Sequence, residues 1–353
     1  MQEEKNKIEE YLLSILDLYP FEIKNVTLLS TKSGRATWEV ETDQGSKILK
    51  KTDVHPRRML FIAEAHEHLY KQGLPITPIH RTKNGAICIG VEDHGYVLYD
   101  KVDGTELIYY DKDKLEKIMQ FMGKFHVASK GFNRTEGSRK RSRLEKWQKL
   151  YRWKLQELEG HRHIAQTNVN DPFSQMFLEH YDLMMQRGRE ALQSLDEAPF
   201  KKWTKEVINE GGFCQQDFTL ARLIEVDAEP FMKELHSITY DLPTRDLRII
   251  LNKIMKKLSV WDTNLAIELL RSYDSIHPLT KEQYQILLND IKFPHLFCSI
   301  IHKYYLAQKR AWSDEKYIWA IQNIIAVENS KEDFLQNFNS VYQGIKRGAT
   351  ADG

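Results

Sequence analysis

The stretch GFCQQDFTLAR, residues 212–222, places Asp217 just past an apolar run and Arg222 five residues later. In phosphoryl transfer a protein positions phosphates, binds magnesium and orients a nucleophile. That chemistry wants an asparagine where Arg222 stands, so the stretch reads either as a loop for this chemistry or as the remains of one. The other parts needed are a lysine on a third strand, a glutamate on the next helix and metal ligands. KILKK, residues 47–51, offers Lys50, with Lys51 on the opposite face. The following RRMLFIAEAHEHLYKQG offers Glu64, and a Lys50–Glu64 pair would hold α- and β-phosphates. The same two residues equally suit a solvated lysine and an exposed helix glutamate. A phosphate-covering loop would be STKSGRATW, residues 30–38, whose single glycine falls short of a glycine-rich signature. YVLYDKVDG, residues 96–104, is a strand leaving a sheet, and its end could be a hinge for an adenine ring.

These residues need elements to hold them. Ile8, Leu12, Ile15, Leu16 and Tyr19 fall at helical spacing, stopped by Pro20. Residues 25–51 alternate in short β-rich runs with turns at Ser33-Gly34 and Asp43-Gln44-Gly45, which predicts three successive antiparallel strands. A helix is expected over 57–72, closed by Gly73, then strands near 86–91 and 95–99. From Asp111 onward the pattern is helical over 115–129, 142–159, 171–195, 247–258, 264–273 and 281–290. Strand-like runs interrupt it only at 211–240. The spacing therefore predicts an α+β chain: a small β-rich N-lobe over 1–100 and a large helical C-lobe over 101–353. That order suits a bilobal, protein-kinase-like fold.

Composition narrows the function classes. The 353 residues are 41% hydrophobic and 29% charged, and 51 basic residues nearly cancel 50 acidic ones. Such a balance excludes a chain that binds nucleic acid or a polybasic membrane partner by bulk charge. Cys88, Cys214 and Cys298 are scattered and match no metal-ligand spacing, as expected of reduced thiols. The start, MQEEKNKIEE, is not a signal peptide, and runs such as FPHLFCSII are too short to span a bilayer. The segment RKRSRLEKWQKLYRWK, residues 139–154, is basic with interleaved aromatics. Leu144, Trp147, Tyr151, Leu155 and Leu158 fall at helical spacing, so the aromatics read as a core stripe and the bases as a solvated face or a docking surface for an acidic partner. Asp241 and Pro243 suit a helix start, with Asp246 in its first turn, and His126 reads as a packed side chain.

Three motifs together carry a more specific signal: DPFSQMFLEHY (171–181), CQQDF (214–218) and YDLPTRDLR (240–248). With LEKWQKLYRWKLQELEG and VWDTN they make the chain resemble the spore coat protein S (CotS) family of endospore-forming bacteria, over nearly its whole length. That family resembles aminoglycoside phosphotransferases and choline kinases in fold. The resemblance implies a structural place in the spore coat, synthesis in the mother-cell cytoplasm and other coat proteins as partners. Charge balance and the short apolar runs lead to the expectation of no nucleic-acid and no membrane partner, and the oligomeric state stays open.

Intact relatives carry a His-Gln-Asp-Tyr-Gly-x-Gly-Asn loop and an Ile-Asp-x-Asp strand. By that carry-over Gln215 stands for the histidine and Asp217 for the catalytic aspartate, Thr219 and Ala221 replace the glycines, and Arg222 stands at the magnesium asparagine. Glu234 and His236 replace the two strand aspartates, and Lys50, Glu64 and Tyr99 would be the nucleotide-binding residues. Arginine has no acceptor and cannot be a ligand, and magnesium prefers oxygen donors in near-octahedral geometry. The expectation is a degenerate site with no metal and no cofactor, in which Arg222 pairs with Glu234 or Asp217. ATP and magnesium belong to the alternatives: an atypical phosphotransferase acting on coat components, or a nucleotide-binding scaffold.

Overall fold

The computed structural model describes residues 11–216, 218, 220–309 and 311–347. The chain divides into two compact units. The first takes in the chain through Leu107 together with Ala128–Arg141 and Thr219–Thr239; the second holds Ile108–Val127, Ser142–Phe218 and the chain from Tyr240. A single cut after residue 100 is therefore not the division. Backbone pairing explains the difference: the 219–239 segment hydrogen-bonds into the first hundred residues, as described next.

In the first unit, residues 11–16 are helical (α1). The strands β1 (Ile23–Lys32), β2 (Arg35–Thr42) and β3 (Gly45–Thr52) form the expected antiparallel meander. Ser33 and Gly34 both have positive φ, 49° and 77°, the conformation of a two-residue hairpin turn that matches strand twist. Helix α2 (Pro56–Lys71) follows, with β4 (Ile79–His80), β5 (Ile89–Val91) and β6 (His94–Asp100) completing the sheet in the order β1-β2-β3-β6-β4, β5 also pairing with β6. Period-two alternation sends Trp38, Val40, Leu49, Tyr96 and Leu98 to one face, where they pack on Leu12, Ile15, Leu16 and Tyr19. The opposite face is left for Ile48, Lys50 and Tyr99.

A second sheet joins β7 (Thr105–Glu106), β8 (Leu223–Val226) and β9 (Glu229–Met232). Gly104 is obligatory at its entrance: a Cβ there would lie 2.7 Å from the Glu225 carbonyl oxygen and 2.9 Å from Ile224 Cδ1. The end of β9 is stitched back to the first hundred residues, because Met232 N donates to Pro75 O (2.9 Å) and Thr77 N to Met232 O (3.1 Å).

The second unit is helical. Its helices include α3 (Lys112–Ser129, through Val127), α4 (Trp147–Thr167), α5 (Pro172–Ser194), α6 (Ala198–Glu210) and α7 (Thr244–Leu258). The DPFSQ motif is the start of α5: Asp171 accepts from Phe173 N and Ser174 N, and Pro172 fills a position whose N–H would be orphaned. Trp147, Tyr151, Leu155 and Leu158 are buried along α4. This helix begins at Trp147, not at 142, because Ser142 bridges Tyr240 and Arg143 N donates to Tyr240 O.

Candidate functional site

On the face of the first unit's sheet opposite α1, the residues Thr37, Ile48, Lys50, Thr77, Tyr99–Asp103, Lys233 and Glu234 line a cleft of about 230 Å³. Strand register places them. Thr37 lies across from Lys50 and Ile48 across from Tyr99, so the cleft wall is a set of cross-strand neighbours. Beyond Tyr99, Asp100 is anchored by Lys47 Nζ (2.6 Å) and His80 Nε2 (2.8 Å). Burial alone would raise the Asp100 carboxyl, and these two partners hold it below its ordinary value. Lys101 N donates to Ser46 O, which fixes the backbone where the strand leaves the sheet.

Glu234 closes the cleft. Lys233 N donates to Arg222 O (3.3 Å) and Leu235 N to His66 Nδ1 (3.4 Å), so backbone on both sides of Glu234 is tied down. Glu234 is 8% exposed. Its Oε1 receives both the Lys50 ammonium and His236 Nε2, the latter at 3.0 Å. Glu234 and His236 meet in the chain just past the end of β9. Burial would push the Glu234 carboxyl up; the His236 hydrogen bond and the Lys50 charge outweigh it and hold it well below the usual carboxylate range. One oxygen thus carries two protein donors, and an acidic side chain is neutralised from within the fold.

One sequence expectation is corrected here. Lys50 does not pair with Glu64. Glu64 lies on another part of α2, where its Oε1 accepts from Thr135 Oγ1 (2.5 Å) and Thr135 N (3.3 Å). Core packing of Ile62, Ala65, His66 and Leu69 sets the rotation of the helix and turns Glu64 away from the cleft. Among the described residues, the ion pairs of Glu234 are with Lys50 and His236. Arg222 ends a 3₁₀ turn, Leu220–Arg222, directly before β8. Asp217 lies outside the described residues, and with it the expected Arg222–Asp217 pair.

His66 is a site residue that the sequence reading did not single out. It is completely enclosed, with Nε2 2.5 Å from Thr77 O and its ring 5.3 Å from that of Tyr99. Burial lowers its pKa to about 4, with Thr77 O and the Glu234 charge opposing, so the imidazole is neutral at pH 7. Burial, reinforced by Glu234, raises the Tyr99 phenol well above its ordinary value. The only available signal was the coincidence of a polar residue with the apolar stripe of α2.

In the second unit the CQQDF loop is held by an acid that was read only as a helix-start charge. Asp246 is fully buried and accepts from Gln215 N (2.7 Å) and Gln216 N (3.1 Å). His126, 2% exposed, joins it at 3.3 Å and meets Tyr273 Oη at 2.8 Å. Cys214 Sγ donates to Leu242 O. His126, Cys214 and Asp246 are close enough to hold a metal ion, but each is already engaged in this network, and burial raises the Cys214 thiol far from thiolate formation. Asp241 is likewise no helix cap. It accepts from Trp147 Nε1 (2.6 Å) and pairs with Arg245 (3.1 Å).

The strand order, the inserted helix and the cleft at the departing strand define a kinase-like phosphotransferase fold, and solved structures agree. The chain is similar to the aminoglycoside phosphotransferase from Alicyclobacillus acidocaldarius, with a TM-score of 0.74 at 17% identity over 94% of this chain and 95% of that one. It is also similar to amicoumacin kinase hAmiN, with a TM-score of 0.63 at 15% identity over 93% and 96%. At those identities the likeness shows the fold. The chain belongs to the family described as "Spore coat putative kinase YutH", whose model matches residues 24–338. It is 59% identical over 343 residues to spore coat protein S of Bacillus subtilis (strain 168), covering 97% of this chain and 98% of that one. The resemblance carried by the sequence motifs is therefore shown. Among the described residues no helix is long and apolar enough to cross a membrane.

Proposed function

We propose that the protein is a structural component of the bacterial endospore coat, a pseudokinase whose kinase-like fold has lost its magnesium site. The coat assignment rests on the near-full-length likeness to spore coat protein S and on family membership. The single observation that carries the second half is the pairing of both Lys50 and His236 with one oxygen of Glu234.

The residues do not fit magnesium. The ion requires hard oxygen ligands in octahedral geometry. The cleft offers it a carboxylate oxygen already held by two donors, and an imidazole beside it. Lys50, which would have to reach a phosphate, is committed to that carboxylate. The arrangement supplies the positive charge a metal would otherwise bring, so the buried acid stays ionised without one. What remains is a fold whose cleft acid is paired from within, suited to assembly with other coat proteins.

A second reading, a scaffold that holds a nucleotide without transfer, draws on the cleft at residues 99–103. Its 230 Å³ lies below the size usual for drug-sized ligands, which favours the first reading. Two experiments test the proposal. A fluorescent fusion expressed from its own promoter during sporulation should ring the spore and remain with the coat fraction; a fusion that stays in the mother-cell cytoplasm contradicts the coat assignment. Calorimetry should detect no magnesium-dependent ATP binding by the wild type. Arg222→Asn with Glu234→Asp and His236→Asp restores ligand types and should raise magnesium affinity. Strong magnesium-dependent ATP binding by the wild type would promote the atypical phosphotransferase.

A further inference from the structure

A larger cavity lies elsewhere in the first unit. Helix α2, the turn through residues 81–90 and the segment 132–135 enclose a groove of about 670 Å³, within the range of binding sites. Pro56, Leu60, Ile87 and Phe132 give it an apolar lining. Glu67 lies along it, already paired with Lys71 (2.9 Å) and Arg81 (2.5 Å), and Glu64 is held by Thr135.

The end of the groove at Arg57 opens onto a concentration of positive charge. The first turn of α2 carries Arg57 and Arg58, and residues 134–141 carry Arg134, Arg139, Lys140 and Arg141 against one carboxylate, Glu136. The two segments are tied together, since Arg139 N donates to Arg57 O (2.7 Å) and Arg57 Nε to Gly137 O (2.9 Å). Arg58 donates to Ile238 O (2.5 Å) and Arg134 to Ser138 O (2.9 Å). The Arg57, Arg58 and Arg134 guanidiniums are each held by backbone carbonyls. A carbonyl orients a guanidinium without neutralising it and leaves other N–H donors of the fork available. Burial and then the charges of Arg141 and Arg139 lower the Arg58 pKa to about 10, an independent sign of crowded cations. The chain's net charge is only +1, so this is local segregation of charge.

We propose that this groove and its cationic end are a docking site for an acidic peptide segment of another protein, one that inserts an apolar side chain against Leu60 and Phe132 and sets carboxylates on Arg57, Arg139 and Lys140. Charge complementarity selects the occupant. Paired forks and carboxylates match in geometry, and the apolar lining needs an apolar side chain, which a peptide carries and a nucleic-acid backbone does not. The site stands apart from the Lys50–Glu234 cleft and holds whether or not that cleft binds nucleotide.

The test uses the full-length protein and a fluorescein-labelled peptide, Asp-Glu-Asp-Phe-Asp-Glu-Asp, followed by fluorescence polarisation. Binding should weaken as salt rises, as expected for exposed charges. It should fall about tenfold in the Arg139→Glu, Lys140→Glu double variant, whose changes lie on exposed side chains. Leu60→Gln, or alanine in place of the peptide's phenylalanine, should also weaken it, and excess ATP should not displace the peptide. Thermal midpoints of the variants should match the wild type. Equal binding by wild type and the charge-reversed variant overturns the proposal. So does tighter binding of a short single-stranded oligonucleotide than of the peptide. Self-association of the wild type that is lost in the charge-reversed variant would assign the face to a second copy instead, and also overturns it.

Discussion

Glu234 concentrates the physical question at the scale of single residues. Enclosing a carboxylate costs several kcal/mol unless cations and hydrogen bonds replace the lost water. Lys50 and His236 supply both on one oxygen. Removing the ammonium alone strands the acid, so Lys50→Met should destabilise the protein by about 2–3 kcal/mol. Removing both charges in Lys50→Met with Glu234→Gln should recover at least half of that loss. Urea unfolding midpoints of the two single variants and the double give the coupling directly. A Lys50→Met variant within about 0.5 kcal/mol of wild type, the usual span for surface substitutions, would mean that Glu234 is not locked by Lys50.

At the scale of elements, the cleft depends on how β6 hands the chain to the second sheet. Gly104 makes that passage, pressed against the Glu225 carbonyl and Ile224. Backbone cannot yield as a flexible side chain does, so Gly104→Ala should cost about 1–3 kcal/mol by overpacking. The β7–β8 amides should lose hydrogen-exchange protection before those of β2 and β3. A variant with wild-type stability and unchanged protection would show that the entrance tolerates a side chain. The same scale explains the Glu64 correction. The length and position of α2 follow from its apolar spacing, whereas its rotation follows from which residues the sheet accepts. The sheet took His66 inward, and Glu64 found Thr135.

For the whole molecule, buried neutral imidazoles predict the acid limb of stability. His66 has its pKa lowered from 6.5 to about 4 by burial. His295 is lowered well below its ordinary value, by burial first and then by the Arg248 charge. Both protonate in the unfolded chain before they do in the folded one. The unfolded state therefore binds more protons below pH 6.5, and stability falls as pH falls. The His66 contribution is fully present above pH 6.5 and is lost on the way down to about pH 4, amounting to about 3 kcal/mol. Glu234, whose folded pKa is depressed, adds a loss that begins below its ordinary 4.5. Urea midpoints measured from pH 8 to pH 4 should decline through the range below 6.5, and His66→Asn should flatten part of that slope. A flat profile between pH 7 and pH 5 would contradict it.

What the sequence determined by itself is the material governed by near neighbours. The β1–β3 meander, the Ser33-Gly34 hairpin, the Asp171-Pro172 helix start and the buried stripe of Trp147, Tyr151, Leu155 and Leu158 all follow from spacings of two to four residues and from turn and cap chemistry. Alternation alone put Lys50 and Lys51 on opposite faces, and the resemblance chose Lys50 for the cleft. Its partner could not be read that way, because Glu234 reaches it only after Met232 pairs with Pro75 and Thr77 and carries the later segment against the first sheet. The same holds for Asp246, read as a helix-start charge until folding buried it beneath Gln215 and Gln216. Charge pairing inside a fold is decided by which long-range backbone contacts form, and a buried charge then takes the nearest opposite charge that those contacts supply.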